Sequence, residues 1–114
     1  MKFLVTVYGN SMSGMLGPNA DGHTAFIATV AAFGELVDGG LLADPSTSVL
    51  VSIGARGTTV TDGPCPDLPV QAAAYYLLDC QDHERAVQLA AMHPAAGYRA
   101  VEVRPVMQSS GLEM

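Results

Sequence analysis

Basic residues are scarce in this chain, and those present are scattered. Lys and Arg number 5 against 11 Asp and Glu, so the formal net charge is −6. Nucleic-acid backbones and acidic membrane surfaces are bound by clustered basic side chains. Here the bases stand far apart, at Lys2, Arg56, Arg85, Arg99 and Arg104. The sequence therefore predicts no nucleic-acid partner and no membrane-surface partner.

Long apolar runs and cysteines are also few. No run approaches the roughly 20 apolar residues that a membrane-spanning helix needs. The first eight residues carry one basic residue and a short alternating stretch, which is unlike a secretory signal. Without such a signal, Cys65 and Cys80 are expected to be reduced thiols. These features predict a cytoplasmic protein.

Ligand patterns for metals and phosphates are missing as well. The pairs Asp82–Glu84 and His83–His93 lack the close spacings that hold Zn²⁺. The glycine-rich stretch of residues 9–22 is not followed by Gly-Lys-Ser/Thr, so it is no phosphate-binding loop. The sequence predicts neither a metal nor a cofactor.

Apolar residues, by contrast, are abundant. They make up 49% of the 114 residues, and charged residues make up only 14%. A chain of this length forms one domain with a single core, here predicted for residues 1–107, with a frayed tail at 108–114. So many apolar residues in so small a domain indicate that some face a partner, and a second copy of the chain is the simplest one. We expect a homodimer.

The first third of the chain predicts a strand, a loop and a helix. Residues 3–8 alternate between an apolar face and a mixed face, which is typical of a strand. Residues 9–22 are predicted to form a long loop, a candidate lid. An apolar stripe of Phe26, Val30, Phe33 and Val37 predicts a helix over residues 24–38, ended by Gly39-Gly40.

The remainder predicts a hairpin followed by a strand, a helix and a strand. Residues 48–53 and 58–61 form the hairpin, residues 72–80 a strand, residues 82–93 a helix capped by Asp82, and residues 100–106 the last strand. The expected order is β-α-β-β-β-α-β, an α+β ferredoxin-like βαββαβ fold with an extra β-hairpin. Such a fold carries two helices on one face of an antiparallel sheet and leaves the other face open.

Several segments together resemble the DGPF branch of the YCII-related proteins. They are Lys2-Phe3-Leu4, Tyr8-Gly9, Asp62-Gly63-Pro64, Ala74-Tyr75-Tyr76, and residues 101–106 with the sequence Val-Glu-Val-Arg-Pro-Val; Cys65 stands where the motif has Phe. The resemblance covers nearly the whole chain. It implies a ferredoxin-like fold that dimerises through the open sheet face as a dimeric α/β barrel. It also implies an enzymatic role, which in some relatives involves a His-Asp pair, or an association with sigma factors.

Two residues are the candidate catalytic groups. The unperturbed pKa of histidine lies near neutral pH, so His23 suits a general acid or base, although a histidine at a helix start is also commonly just solvated. Asp62 could accept a proton at the rim of a pocket, but Asp before Gly-Pro also commonly stabilises its own turn. His83 is expected to be exposed and His93 to pack at a helix end.

The candidate binding residues share the mixed face of two adjacent strands. In this topology Thr6, Tyr8, Glu102 and Arg104 lie on the sheet face away from the helices. Polar side chains on a face that a dimer buries must pair with each other or with a ligand. Both an ion pair of Glu102 with Arg104 and a ligand pocket satisfy that requirement.

These features predict a metal-independent small-molecule enzyme, a lyase, isomerase or hydrolase, that performs proton transfer or elimination. Its pocket is expected between the open sheet face and the loop of residues 9–22. The alternatives are a non-catalytic ligand-binding or regulatory module associated with a sigma factor or a biosynthetic pathway, and a purely structural partner.

Overall fold

A four-stranded antiparallel sheet with two helices on one face forms the body of the protein. The structure is a computed structural model that describes residues 1–9, 18–66, 70–97 and 100–107. The tail predicted at residues 108–114 and residues 10–17 of the predicted lid lie outside the described residues. The strands are β1 (Lys2–Tyr8), β2 (Leu36–Leu41), β3 (Val49–Gly54), β4 (Gly57–Asp62), β5 (Ala72–Asp79) and β6 (Val101–Pro105). The helices are α1 (Pro18–Ala32) and α2 (His83–Ala91).

The strand order of the main sheet is β2-β5-β1-β6, and every neighbouring pair is antiparallel. With α1 after β1 and α2 after β5, this is the ferredoxin-like arrangement. The sheet is open at both edges. The predicted fold class is therefore confirmed.

The core lies between this sheet and the helices. In β1 the side chains of Phe3, Val5 and Val7 are fully buried, as the alternating pattern predicts. Tyr76 and Leu78 of β5 lie on the same face, opposite Val5 and Phe3 in the register. From the helices, the largest contributions to this core are those of Phe26, Val30 and Leu89.

The predicted helix at residues 24–38 is wrong at both ends. Helix α1 begins at Pro18, a residue favoured in the first turn, and ends at Ala32. Gly34 has a φ of +75°, which terminates the helix because other residues rarely adopt that conformation. Phe33 and Val37, expected on the buried stripe, are about half exposed.

The chain beyond Gly34 forms β2, so the observed order has one strand more than predicted. Gly39 and Gly40 were expected to stop a helix, but they lie inside this edge strand. A Cβ on Gly39 would lie 2.8 Å from the Tyr76 ring, and one on Gly40 would lie 3.2 Å from the Tyr75 ring. The two glycines make room for the two tyrosines of the neighbouring strand.

The inserted hairpin β3–β4 is a separate two-stranded sheet, confirmed within one residue of its predicted bounds. Val51 and Val60 pair across it and are each more than 60% exposed. Helix α2 begins as predicted, with the Asp82 carboxylate accepting a hydrogen bond from the Arg85 amide at 2.9 Å.

Candidate functional site

Two histidines and a tyrosine form a hydrogen-bonded cluster between the sheet and the helices. The Tyr76 hydroxyl lies 2.6 Å from Nδ1 of His23 and 2.9 Å from Nε2 of His93. Nδ1 of His93 in turn accepts a hydrogen bond of 3.0 Å from the backbone N–H of Ala95. We call His23, Tyr76 and His93 the helix-face cluster.

Three separate elements position this cluster. Tyr76 lies on the core side of β5, and His23 lies on α1 three residues before the buried Phe26, on the same side of the helix. His93 follows α2 and precedes a short 3₁₀ helix, Pro94–Gly97, whose first turn supplies the Ala95 amide. The Phe26 ring contacts both Tyr76 and His93 edge-on, with centroid distances of 4.8 and 4.9 Å. These contacts fix the orientations of the rings.

Burial sets the protonation states in the cluster. Tyr76 is fully buried and His93 is 3% exposed. Burial, with a smaller effect from the charge of His23, lowers the pKa of His93 to about 4. Burial also lowers the pKa of His23 and raises the pKa of Tyr76 far above its usual value. At neutral pH all three side chains are uncharged.

His23 is the member of the cluster that solvent can reach, since it is only partly buried. A small molecule could therefore contact its ring, whereas Tyr76 and His93 lie behind it. The sequence pointed to His23 and missed the other two as functional residues. The prediction that His93 packs at a helix end is consistent with its position, and Tyr76 belongs to the Ala-Tyr-Tyr segment that carried the family resemblance. Local pattern gave no reason to connect the three.

A second polar group lies on the open face of the sheet. The Tyr8 hydroxyl donates to Oε1 of Glu102 at 3.1 Å, and Nη2 of Arg104 lies 3.4 Å from the same oxygen. Thr6 lies opposite Glu102 in the β1–β6 register. Burial, and then the hydrogen bond and charge of Glu102, raise the pKa of Tyr8. The sequence placed these four residues together. Tyr8, Glu102 and Arg104 form one network in a single chain, which we call the open-face network, and Thr6 lies beside it on β1.

The six predicted site residues do not share one pocket in a single chain. The open-face network lies on the opposite side of the sheet from His23, which bonds to the core-facing Tyr76. Asp62 ends β4 in the separate hairpin and is exposed. No hydrogen bond joins its carboxylate to another described residue. The predicted pocket between the open sheet face and the loop of residues 9–22 involves residues 10–17, which lie outside the described residues.

Other candidates are less suited to a site. Cys80 is buried with a free thiol, and burial raises the pKa of that thiol. His83 on α2 is exposed, as expected, and its ring stands 5.7 Å from that of Phe3. Within residues 1–9, 18–66, 70–97 and 100–107, no three His, Cys, Asp or Glu residues come together as metal ligands would. Among the same residues, no helix combines the length and hydropathy needed to cross a membrane.

Comparison with known proteins supports the fold. The chain is similar in structure to 5-chloro-2-hydroxyhydroquinone dehydrochlorinase from Burkholderia phenoliruptrix, solved in complex with 2,5-dihydroxybenzoquinone. The TM-score is 0.51 and the sequence identity is 18%, over 96% of each chain. No family model matches this chain, and no curated protein matches it in sequence. At that identity the similarity shows a shared ferredoxin-like fold, which in the relative serves a small-molecule enzyme.

Proposed function

We propose that this protein is a metal-independent enzyme of the YCII/DGPF type that catalyses proton transfer or elimination on a small organic substrate. His23 is the group that contacts the reacting atoms. The observation that carries the proposal is the helix-face cluster. A solvent-accessible histidine is held at 2.6 Å by a buried tyrosine, and burial keeps the imidazole neutral near pH 7.

The cluster is costly as a purely structural feature, which supports a functional role. Tyr76 and His93 occupy a core that apolar residues could fill, and each must find hydrogen-bond partners to avoid a penalty. Perturbed pKa values in a group that solvent reaches are typical of catalytic sites. The cluster combines both features at its one accessible member, His23.

The structural relative supports a class of substrate. Its name describes the removal of hydrogen chloride from a chlorinated hydroquinone, and its bound ligand is a quinone. Such an elimination removes a proton and a chloride ion while charge develops on a ring oxygen. A neutral histidine facing that oxygen suits this chemistry. We therefore propose hydroquinones, quinones and enolisable carbonyl compounds as the substrate class.

We further propose a homodimer formed through the open sheet face. Support comes from the family resemblance and from the apolar surface left exposed in a single chain. One face of the hairpin β3–β4 carries Val51, Ile53 and Val60, which are 63%, 81% and 61% exposed. An isolated two-stranded hairpin is marginally stable, so a second chain packed against it would stabilise it. In that dimer the network of Glu102 and Arg104 would be buried.

A ligand screen followed by turnover assays tests the proposed function. Thermal melts with a panel of hydroquinones, quinones, small carboxylates and phosphates identify binders, and chloride release from 5-chloro-2-hydroxyhydroquinone is measured alongside absorbance changes of the other binders. We expect turnover that His23→Asn reduces by about 10²-fold or more. The Asn oxygen can accept from Tyr76 in place of Nδ1, so the variant removes the chemistry with least disturbance to the core.

His83→Gln is the matched control, because it removes an exposed histidine outside the cluster. It should retain wild-type activity. Turnover that His23→Asn leaves unchanged would contradict the assignment of His23. Binding without any turnover across the panel would instead favour the non-catalytic ligand-binding module.

A further inference from the structure

The backbone amide of Ala95 determines which atoms donate and which accept in the hydrogen bonds of the helix-face cluster. An amide N–H can only donate, so the facing Nδ1 of His93, 3.0 Å away, must be an unprotonated acceptor. A neutral imidazole has one N–H, and in His93 it must therefore be on Nε2. That N–H faces the Tyr76 oxygen at 2.9 Å and donates to it.

The same reasoning assigns the donor and the acceptor in the hydrogen bond between Tyr76 and His23. The Tyr76 oxygen accepts from His93, and its own single proton remains to be donated. Nδ1 of His23 lies 2.6 Å away and is the acceptor in reach. Since Nδ1 of His23 accepts, the proton of the neutral His23 ring is on Nε2.

Donation in the opposite direction, from His23 through Tyr76 to His93, is excluded by the environment of His93. If His23 donated to Tyr76 and Tyr76 donated to His93, both nitrogens of His93 would be acceptors, because the Ala95 amide still donates to Nδ1. That ring would be an imidazolate anion in a site where His93 is 3% exposed. Burial disfavours any charged form there. A Tyr76 oxygen that accepted from both rings would leave its own buried proton without an acceptor among the described residues, which is also disfavoured. A single arrangement of protons therefore remains.

We propose that His93 and Tyr76 are positioning residues that lock neutral His23 in its Nε2–H tautomer, so that His23 presents a hydrogen-bond donor to its ligand. The ligand class is small molecules that place a carbonyl, enolate or phenolate oxygen against Nε2. This assignment of the ligand rests on the proposed function. A neutral imidazole used in this way stabilises negative charge that develops on oxygen.

This arrangement of protons makes His23 a hydrogen-bond donor and excludes it as the base. With a proton already on Nε2, the resting ring cannot accept another from the substrate at that atom. Complete donation from Nε2, followed by transfer along the cluster, would leave a tyrosinate at Tyr76, whose pKa burial raises. His23 therefore donates a hydrogen bond, and another group removes the proton in an elimination. A single chain does not bring Asp62, at the end of β4, to His23, so Asp62 could be that base only across an interface between two chains.

Nitrogen NMR of the histidine rings tests the tautomer directly. In ¹⁵N-labelled wild-type protein near pH 7, the pattern of two-bond nitrogen–proton couplings identifies the protonated nitrogen of each ring. We expect His23 and His93 to carry the proton on Nε2 alone. Exposed His83 serves as the internal reference for an unrestrained ring. A proton on Nδ1 of His23 would overturn the proposal.

Tyr76→Phe tests the positioning role, because it removes the hydroxyl and keeps the ring. We expect His23 in this variant to populate both tautomers, and the affinity for 2,5-dihydroxybenzoquinone to fall by about tenfold or more. His83→Gln should change neither. A His23 ring that keeps its proton on Nε2 in Tyr76→Phe would show that Tyr76 does not set the tautomer. Circular dichroism verifies that the variant is folded before the comparison.

The outcomes separate this inference from the proposed function. If turnover depends on His23 but NMR finds the proton of His23 on Nδ1, the proposed enzymatic function stands and the tautomer assignment is overturned. An Nε2–H ring in a protein that neither binds nor converts any member of the panel would confirm the positioning and refute the ligand class.

Discussion

Mild acid should destabilise this protein through His93. The folded protein keeps this ring neutral, with a pKa of about 4, whereas the unfolded chain exposes it with a pKa of about 6.5. A base whose pKa falls on folding contributes stability that is fully present above the unfolded pKa. That contribution is lost as the pH falls from about 6.5 towards 4.

The size of the effect follows from the two pKa values. At pH 5 the unfolded chain binds nearly one more proton at His93 than the folded protein. The free energy of unfolding should then be about 2 kcal/mol lower than at pH 7. For a chain of this length that corresponds to a fall in Tm of about 8 °C. The lowered pKa of His23 acts in the same direction.

Urea unfolding at pH 5, 6 and 7 measures the effect. At pH 5 most carboxylates are still ionised in both states, so the histidines dominate the difference. In His93→Gln the dependence on pH should be clearly weaker than in the wild type, with the contribution of His23 remaining, whatever the stability of the variant at pH 7. In His83→Gln it should match the wild type. The same decline in wild type and His93→Gln would refute the reasoning about the buried ring.

Three further predictions follow from other parts of the structure. Gly39→Ala should lower the free energy of unfolding by about 1–3 kcal/mol, because its Cβ would lie 2.8 Å from the Tyr76 ring. Gly54→Ala is the control, because its Cβ meets nothing within 4 Å, and it should lower that free energy by less than about 1 kcal/mol. Equal melting temperatures of the two variants would show that the Tyr76 ring can move aside. Light scattering at micromolar concentration should give about twice the 11.8 kDa chain mass, and a monomer would contradict the homodimer. Arg104→Met should change monomer stability by less than about 1 kcal/mol, because its pair with Glu102 is exposed in one chain, and should weaken the dimer in sedimentation experiments; unchanged dimer affinity would place the interface elsewhere.

The elements whose pattern is local could be predicted from the sequence. Strand β1 alternates, the hairpin turn lies between two glycines, and α2 begins at a capping aspartate, so each is specified by neighbouring residues. These elements in their order sufficed for the ferredoxin-like fold. The open-face network was predictable for the same reason, because alternation along two adjacent strands puts Tyr8 and Glu102 on one face.

Tertiary contacts decided the rest. From the sequence, strand β2 resembles the end of a helix. Its two glycines are instead required by the Tyr75 and Tyr76 rings of β5, the neighbouring strand in the sheet, which only the tertiary structure shows. The helix-face cluster joins residues 53 and 17 positions apart in sequence. No periodicity links residues at such separations, because only the packing of α1 and the 3₁₀ helix against β5 brings them together. The sequence alone determined that His23 could act as an acid or base, and the buried partners behind it determine which nitrogen carries the proton.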